Sequence, residues 1–168
     1  YGFFTYLNPE IRYYLGGAAK KLIDITAIFT RLKGFISNYS TIEDRKRFEV
    51  GDFRITPYLM DHSGFDAYSF LIEADDKKLF YSGDFREHGR KGSLFRRFLR
   101  IGPEKVDILL LEGTMLGRGR QVCKNEEEVQ LRIQKILKER KNITFFFASS
   151  QNIDRLVSAY KACLKTDS

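Results

Sequence analysis

The sequence has 168 residues, of which 43% are hydrophobic, and it contains 15 Phe and 9 Tyr. A chain of this length can bury about 70% of its unfolded surface, so this composition predicts one folded core and excludes a disordered chain. The net charge of +7 favours polyanionic partners, since Lys and Arg clusters bind phosphates, but an ordinary basic surface gives the same charge. No apolar stretch is long enough to predict a membrane span, and two distant cysteines, Cys123 and Cys163, suit a reducing cytoplasm.

The first part of the chain is predicted to be rich in strands. Alternating apolar residues predict the strands, and apolar residues at three- and four-residue steps predict the helices. The predicted strands are 11–15, Phe48–Val50, Phe53–Met60, Ala67–Ala74 and Lys77–Tyr81, and the predicted helices are 18–32 and 93–100.

The second part is predicted to alternate strand, helix, strand and helix. Two apolar runs, 106–111 and 143–148, predict buried strands, the first of them covered on both faces. Three glycines within 113–120 predict a loop or a domain junction, and Asn125 with Glu128 predicts a capping box at the start of a helix. The last helix is predicted over 152–164, with these residues facing inward: Ile153, Leu156, Tyr160 and Cys163.

His62 and Asp84 are the candidate metal ligands of this sequence. Each follows an alternating apolar run, so we expect the two side chains at adjacent strand ends, where a sheet can direct both toward one ion. The remaining histidine, His88, fits a surface position or a place beside the site better than a ligand position. The sequence contains no other cluster of metal-ligand residues, so the predicted site is incomplete.

The neighbours of these two residues strengthen the metal hypothesis. Asp61 and Ser63 flank His62 and can orient its imidazole ring, as carboxylates and hydroxyls do for histidine ligands of metals. Gly83 permits the sharp turn that directs the carboxylate of Asp84 beyond the strand. The alternatives are a capping or core histidine and a simple turn aspartate that bonds its own backbone.

A basic cluster follows Asp84 and is a candidate surface for nucleic acid. Aromatic residues lie among its cations, a combination that can follow a phosphate backbone. The alternative is a solvated loop and helix face above a phenylalanine core. The cations predicted to bind nucleic acid are Arg86, Arg90, Lys91, Arg96 and Arg97.

Two segments carry a resemblance to a known family. Residues 56–63 (Thr-Pro-Tyr-Leu-Met-Asp-His-Ser) and 81–86 (Tyr-Ser-Gly-Asp-Phe-Arg), with the strand pattern of 67–72 between them, resemble the metallo-β-lactamase fold. They are most similar to its branch of nucleic-acid-processing hydrolases typified by ribonuclease J. The resemblance implies that His62 binds one zinc ion and that Asp84 bridges two.

The resemblance extends into the second part of the chain. The run 106–111 followed by Glu112-Gly113-Thr114 resembles the strand after which the β-CASP subdomain is inserted, and 149–155 resembles an Asn-Ile-x-Arg segment of that subdomain. Glu112 would then orient a ligand or relay a proton, so Asp84 and Glu112 are the implied catalytic residues. An ordinary carboxylate at a strand end is the alternative for Glu112.

The implied fold is mixed α/β (α+β). It consists of a partial metallo-β-lactamase αββα sandwich over residues 1–118 and the beginning of a β-CASP-like subdomain over 119–168. The chief ligand motif of the family, H-x-H-x-D-H, is absent and is expected upstream of Tyr1, and later histidines are expected beyond Ser168. The chain thus resembles the central part of a larger enzyme, and we expect it to be inactive alone.

The implied activity of the intact protein is zinc-dependent hydrolysis of phosphodiesters, with RNA favoured over DNA. Two zinc ions are expected in the intact protein, and no tightly bound zinc is expected in this chain alone. We expect a cytoplasmic location, no membrane partner, and dimerisation through exposed sheet. Two other hypotheses stay open: a thioester or lactam hydrolase of the same fold, and a non-catalytic module that binds nucleic acid or a protein partner.

Overall fold

A computed structural model describes residues 10–30, 36–114, 116, 117, 119 and 123–167. The last two residues of the predicted helix 18–32 lie outside these ranges. The elements in chain order are β1 (Tyr13–Gly16), α1 (Gly17–Thr30), β2 (Tyr39–Ile42), β3 (Phe48–Val50), β4 (Phe53–Met60), β5 (Ala67–Ala74), β6 (Lys77–Tyr81), α2 (Gly92–Ile101), β7 (Ile108–Leu110), α3 (Glu126–Glu139) and α4 (Ile153–Leu164). Among the described helices, none has the length and apolar character needed to span a membrane.

The main sheet has the strand order β3-β4-β5-β6-β7. Strands β3 to β6 pair antiparallel with their neighbours, and β7 pairs parallel with β6. It follows that β4, β6 and β7 all run in one direction and end at the same edge of the sheet. The predicted bounds of β3, β4, β5 and β6 are confirmed residue for residue.

Helix α1 connects β1 and β2, which form a separate two-stranded parallel sheet. The N-terminus of α1 is capped from a distance, because the carboxylate of Asp66 accepts hydrogen bonds from the backbone N–H groups of Ala18 and Ala19, both at 2.9 Å. A Cβ atom on Gly16 would lie 2.0 Å from that carboxylate, so only glycine fits there. This contact joins α1 to the loop that follows β4.

Helix α2 covers one face of the main sheet through aromatic packing. The ring of Phe98 stacks on Phe80 of β6 at 5.1 Å between centroids and meets Tyr58 of β4 edge-on at 5.4 Å. Met60 and Leu71 are buried in the same core. The chain is therefore a mixed α+β fold, a partial α/β sandwich with a helix layer on the sheet.

The two apolar runs predicted to be buried strands are largely exposed. Residues of β7 are 47% to 53% exposed, and Ile143, Phe145 and Phe147 are 85%, 92% and 103% exposed in a stretch that forms no strand. The prediction of burial is wrong for both runs. The physical reason is that β7 is the edge strand of its sheet, and none of the described residues forms a layer over these side chains.

Helix α4 buries its polar face rather than its apolar one. Asp154, Ser158 and Ala162 are buried, whereas Leu156 is 37% and Tyr160 is 64% exposed. The prediction that Leu156 and Tyr160 face inward is therefore wrong. Hydrophobic periodicity fails here because the buried face of α4 pairs with cations rather than with an apolar core.

Candidate active site

The predicted metal ligands meet at the edge where three parallel strands end. His62 follows β4, Asp84 follows β6, and Glu112 follows β7. The prediction that the two strands are adjacent is wrong, because β5 lies between β4 and β6 in the sheet. Their loops nevertheless converge, and the imidazole Nε2 of His62 lies 3.9 Å from Oδ2 of Asp84.

The imidazole of His62 is oriented by the loop that carries it. The backbone N–H of Gly64 donates to Nδ1 at 3.2 Å, which leaves Nε2 facing Asp84. The side chain of His62 is 32% exposed and that of Asp84 is 67% exposed, so a ligand can reach both from solvent. The ammonium of Lys91 donates to the carbonyl of His62 at 3.1 Å and fixes its backbone.

Asp61 does not orient the His62 ring, contrary to the prediction. Its carboxylate is fully buried and accepts hydrogen bonds from the backbone N–H groups of Gly89 at 2.7 Å and Lys91 at 3.2 Å. Its carbonyl accepts from the N–H of Arg86 at 2.7 Å. The carboxylate is occupied by these N–H groups, so the function of Asp61 is to hold residues 86–91 against the end of β4.

Asp84 is placed by a turn that only glycine permits. Gly83 has a φ of 55°, and a Cβ atom there would lie 2.9 Å from the carbonyl oxygen of Tyr68. The preceding residue, Ser82, is buried and donates its N–H to the carbonyl of Leu110 at 2.9 Å. These constraints hold the Asp84 carboxylate at the sheet edge.

Glu112 fixes the backbone beside Asp84. Its carboxylate accepts from the N–H of Phe85 and from the hydroxyl of Thr114, both at 2.7 Å. Burial acts to raise the pKa of Glu112, but these two hydrogen bonds and the nearby His62 outweigh it and hold the pKa below its ordinary value. The carboxylate is thus ionised, and both of its oxygens accept hydrogen bonds. This arrangement suits a residue that positions the neighbouring backbone better than one that transfers a proton.

The described residues bring together two candidate metal ligands and no complete site. Among the residues that the structure describes, no group of three or more His, Cys, Asp and Glu side chains is arranged to hold a metal ion. Catalytic zinc sites use three protein ligands and a water molecule. His62 and Asp84 therefore do not make a whole zinc site by themselves.

A buried charged network lies behind this site and is centred on Asp154. Its carboxylate accepts hydrogen bonds from the guanidinium of Arg86, from the N–H of Arg90 at 3.0 Å and from the ammonium of Lys91 at 3.3 Å. Burial acts to raise the pKa of Asp154, but the bonds from Arg90 and Arg86 and the charge of Lys91 outweigh it and lower the pKa. The network therefore joins α4 to the loop 86–91.

A second carboxylate, Glu126, extends the network into α3. It accepts from the guanidinium of Arg155 at 3.1 and 3.2 Å and from the hydroxyl of Ser158 at 2.9 Å. Its pKa is lowered, because these partners outweigh the effect of burial. The guanidinium of Arg90 donates to both Gln130 and Ser158, at 2.8 and 2.9 Å, so one arginine ties the two helices together.

The predicted nucleic-acid-binding cations have protein partners in this structure. Arg86, Arg90 and Lys91 bond to the network, and Arg97 donates to Asp44 at 2.7 Å. Arg96 is the most exposed, with 62% of its side chain accessible and Glu87 at 4.0 Å. Contact of these five with nucleic acid stays a prediction. The backbone carbonyl of His88 accepts from the N–H of Glu126 at 3.1 Å, which places this histidine at the junction with α3.

Sequence reasoning missed the importance of Asp154, Glu126 and Gly64. A usable signal existed for the first: Asp154, Ser158 and Ala162 recur at four-residue steps, a polar and small stripe that can accept a basic loop. Glu126 follows the helix cap at Asn125, where an acidic residue is common for local reasons. Its long-range pairing with Arg155 and Ser158 gives no periodic signal in the sequence.

Comparisons with known proteins bear on the fold of this chain and on a distant relative. No protein-family model matches the chain. A curated protein, ribonuclease J of Mycoplasma genitalium, is 26% identical over 119 residues, which is 69% of this chain and 21% of that protein. A solved structure of a protein of unknown function from Enterococcus faecalis superposes with a TM-score of 0.76 at 17% identity, covering 94% of this chain and 40% of the other. A possible metal-dependent hydrolase from Veillonella parvula gives a TM-score of 0.44 at 14% identity over 98% of this chain and 63% of the other.

These comparisons support the fold and a distant relationship to a hydrolase. The likeness to the Enterococcus faecalis structure shows the fold of this chain. The chain spans about a fifth of the curated relative and two fifths of that solved structure, so the activity of a whole protein is a matter for proposal.

Substituting Asp154 by Asn tests the buried network. We expect a loss of about 3–5 kcal/mol in the free energy of unfolding, because Arg86 and Lys91 keep their charges and lose their buried partner. Urea unfolding of the two proteins measures this loss. Glu139→Gln, which removes an exposed partner of Lys135, is the matched control and should change stability by less than about 0.5 kcal/mol. Equal losses in both variants would contradict a buried network.

Substituting Glu112 by Gln tests its role through pH. A carboxylate whose pKa is lowered by folding stabilises the fold above its ordinary pKa and loses that contribution as the pH falls through the folded pKa. We expect Glu112→Gln to cost about 1–3 kcal/mol at pH 7, since a bond to a charged acceptor is lost. Urea unfolding over decreasing pH should show the difference shrinking in acid. A difference that is constant with pH would contradict this role.

Proposed function

We propose that this chain forms part of a metal-dependent hydrolase of the metallo-β-lactamase fold that cleaves phosphodiester bonds, in RNA rather than in DNA. The observation that carries the proposal is the approach of His62 Nε2 to Asp84 Oδ2, 3.9 Å, where parallel strands end. Imidazole and carboxylate are both ligands of zinc. The relative named ribonuclease J and the net charge of +7 support RNA as the substrate class.

Three residues of this chain have roles in the proposal. His62 and Asp84 contribute two of the ligands of a zinc pair, and Glu112 is a positioning residue that holds the backbone next to Asp84. His62 and Asp84 would hold part of this metal pair, which would supply an acidic water molecule and positive charge for the phosphate. We propose that the further ligands come from outside the 168 residues, since the relatives are longer than this chain.

The proposal includes the organisation of the chain. We assign residues 1–118 to a partial sandwich of the metallo-β-lactamase type and 119–168 to the beginning of a β-CASP-like subdomain. The hydrogen bonds of Arg90 to Gln130, Ser158 and Asp154 support contact between the two parts. Both cysteines are free, which supports a cytoplasmic location.

A non-catalytic module that binds nucleic acid is the second candidate function. It is favoured by one observation, that the described residues bring together two metal ligands and not three. Such a module binds RNA with a strong dependence on salt and no dependence on metal.

Metal binding and cleavage together test the proposal. Competition with a chromophoric chelator should show that Zn²⁺ binds the chain weakly and that His62→Ala and Asp84→Ala each remove this binding. The matched control is His88→Ala, which should leave it unchanged because His88 lies at the junction with α3 and does not follow a strand of the sheet. In the full-length protein the first two variants should reduce RNA cleavage to background.

Two results would decide against the hydrolase. Zinc binding that is equal in the wild-type chain and in both variants would place the metal elsewhere. RNA binding by the full-length protein with no metal-dependent cleavage would favour the non-catalytic module.

A further inference from the structure

A groove of about 640 Å³ lies beside the candidate site, between α1 and the beginning of α4. Its volume is within the range of about 300–1,000 Å³ that small-molecule sites occupy. The loop that carries His62 closes part of it through Gly64 and Phe65. Its principal side chains are Leu22, Ile25 and Phe29 of α1, Phe65 of the loop, and Gln151 and Leu156 of the α4 region.

The walls of the groove combine aromatic rings with polar groups. Phe29 is 82% exposed and Phe65 is 47% exposed, although both are aromatic residues that normally bury most of their surface. Ser150 and Gln151 line the groove as well and offer a hydroxyl and an amide. Aromatic faces beside hydrogen-bonding side chains are the combination that binds an unpaired base, whose face stacks while its edge accepts and donates hydrogen bonds.

The groove is joined to the candidate metal ligand His62 through the loop that carries both. Gly64 lines it and donates its N–H to Nδ1 of His62, so the groove begins one hydrogen bond from the imidazole. The loop is anchored to the groove wall as well, because Asp66 caps the N-terminus of α1. The groove therefore adjoins the loop that carries His62, whose Nε2 faces Asp84.

We propose that this groove is a base-binding subsite, in which an unpaired base of single-stranded RNA stacks on Phe65 and Phe29 while an adjacent phosphate lies at His62 and Asp84. The proposal rests on the proposed function and names the part of the substrate that the chain binds without metal. Lys91 supports it, because its ammonium lies 5.3 Å from the Phe65 ring centroid and bonds to the His62 carbonyl.

Charge favours a nucleotide over an acyl chain as the occupant. The protein has a net charge of +7, and an ammonium adjoins the aromatic wall of the groove. A phosphate that follows the base gains from this field, whereas an uncharged acyl chain does not.

Binding of a short single-stranded RNA that carries one 2-aminopurine tests the subsite on the 168-residue chain, in the presence of a chelator. Because 2-aminopurine fluorescence changes when the base stacks, the wild-type chain should change it on binding. Phe65→Ala and Phe29→Ala should each weaken binding about 5- to 150-fold, the range that loss of stacking on one base gives. Neither should change the dependence of affinity on salt, since phosphate contacts are retained.

Two further variants keep the result interpretable. Phe65→Tyr keeps an aromatic face and should bind within about twofold of the wild-type chain. Ile28→Ala is the matched control, because Ile28 is a 77% exposed apolar residue of α1 outside the groove lining, and binding should not change.

Each contrary outcome has a separate meaning. RNA binding with unchanged fluorescence and no effect of Phe65→Ala overturns the base subsite and leaves the metal-site proposal standing. Base binding in the groove, with zinc binding unaffected by His62→Ala, supports the subsite and contradicts the hydrolase. No RNA binding at all, or tight binding of cis-parinaric acid with no effect on 2-aminopurine, overturns the subsite and counts against RNA as the substrate.

Discussion

The contacts of Lys91 join the loop that carries His62 to helix α4. Its N–H donates to Asp61, and its ammonium donates both to the carbonyl of His62 at 3.1 Å and to Asp154 at 3.3 Å. A mostly buried ammonium requires a counter-charge, because an unpaired charge away from water costs several kcal/mol, about 3–5 when one partner of a buried pair is removed. Asp154 of α4 therefore supplies the counter-charge for the ammonium that bonds to the backbone of His62.

The same requirement explains the unusual orientation of α4. The helix must turn Asp154 and Ser158 toward the basic loop, so its apolar side chains point elsewhere. Leu156 then lines the groove against α1, and Tyr160 stays exposed. The charge network and the apolar groove thus have one cause, and a sequence that gave α4 an apolar inner face would remove both.

Local sequence patterns predict the strands, but they do not predict which face of α4 is buried, because that face is set by long-range charge pairing. Strands β3 to β6 were predictable to the residue because alternation and tight turns act within a few positions, as at Asp75 and Asp76, whose φ values of 48° and 57° suit a two-residue turn. The approach of His62 to Asp84 was predictable in outline because both follow strands. The pairing of Asp154 with Arg86, 68 residues away, leaves no periodic signal, so the inner face of α4 was assigned wrongly.

The proposed metal ligand and the proposed base-binding residue occupy neighbouring but separable parts of one loop. His62 faces Asp84 through Nε2, while Gly64 and Phe65, two and three residues further along the chain, line the groove. The described residues bring together two candidate metal ligands but no group of three, and they line a groove that is mostly apolar. Stacking of a base requires no metal, whereas hydrolysis requires every ligand. In the two proposals, base binding therefore does not depend on the metal, and the positions that separate them are His62 for the metal and Phe65 for the base.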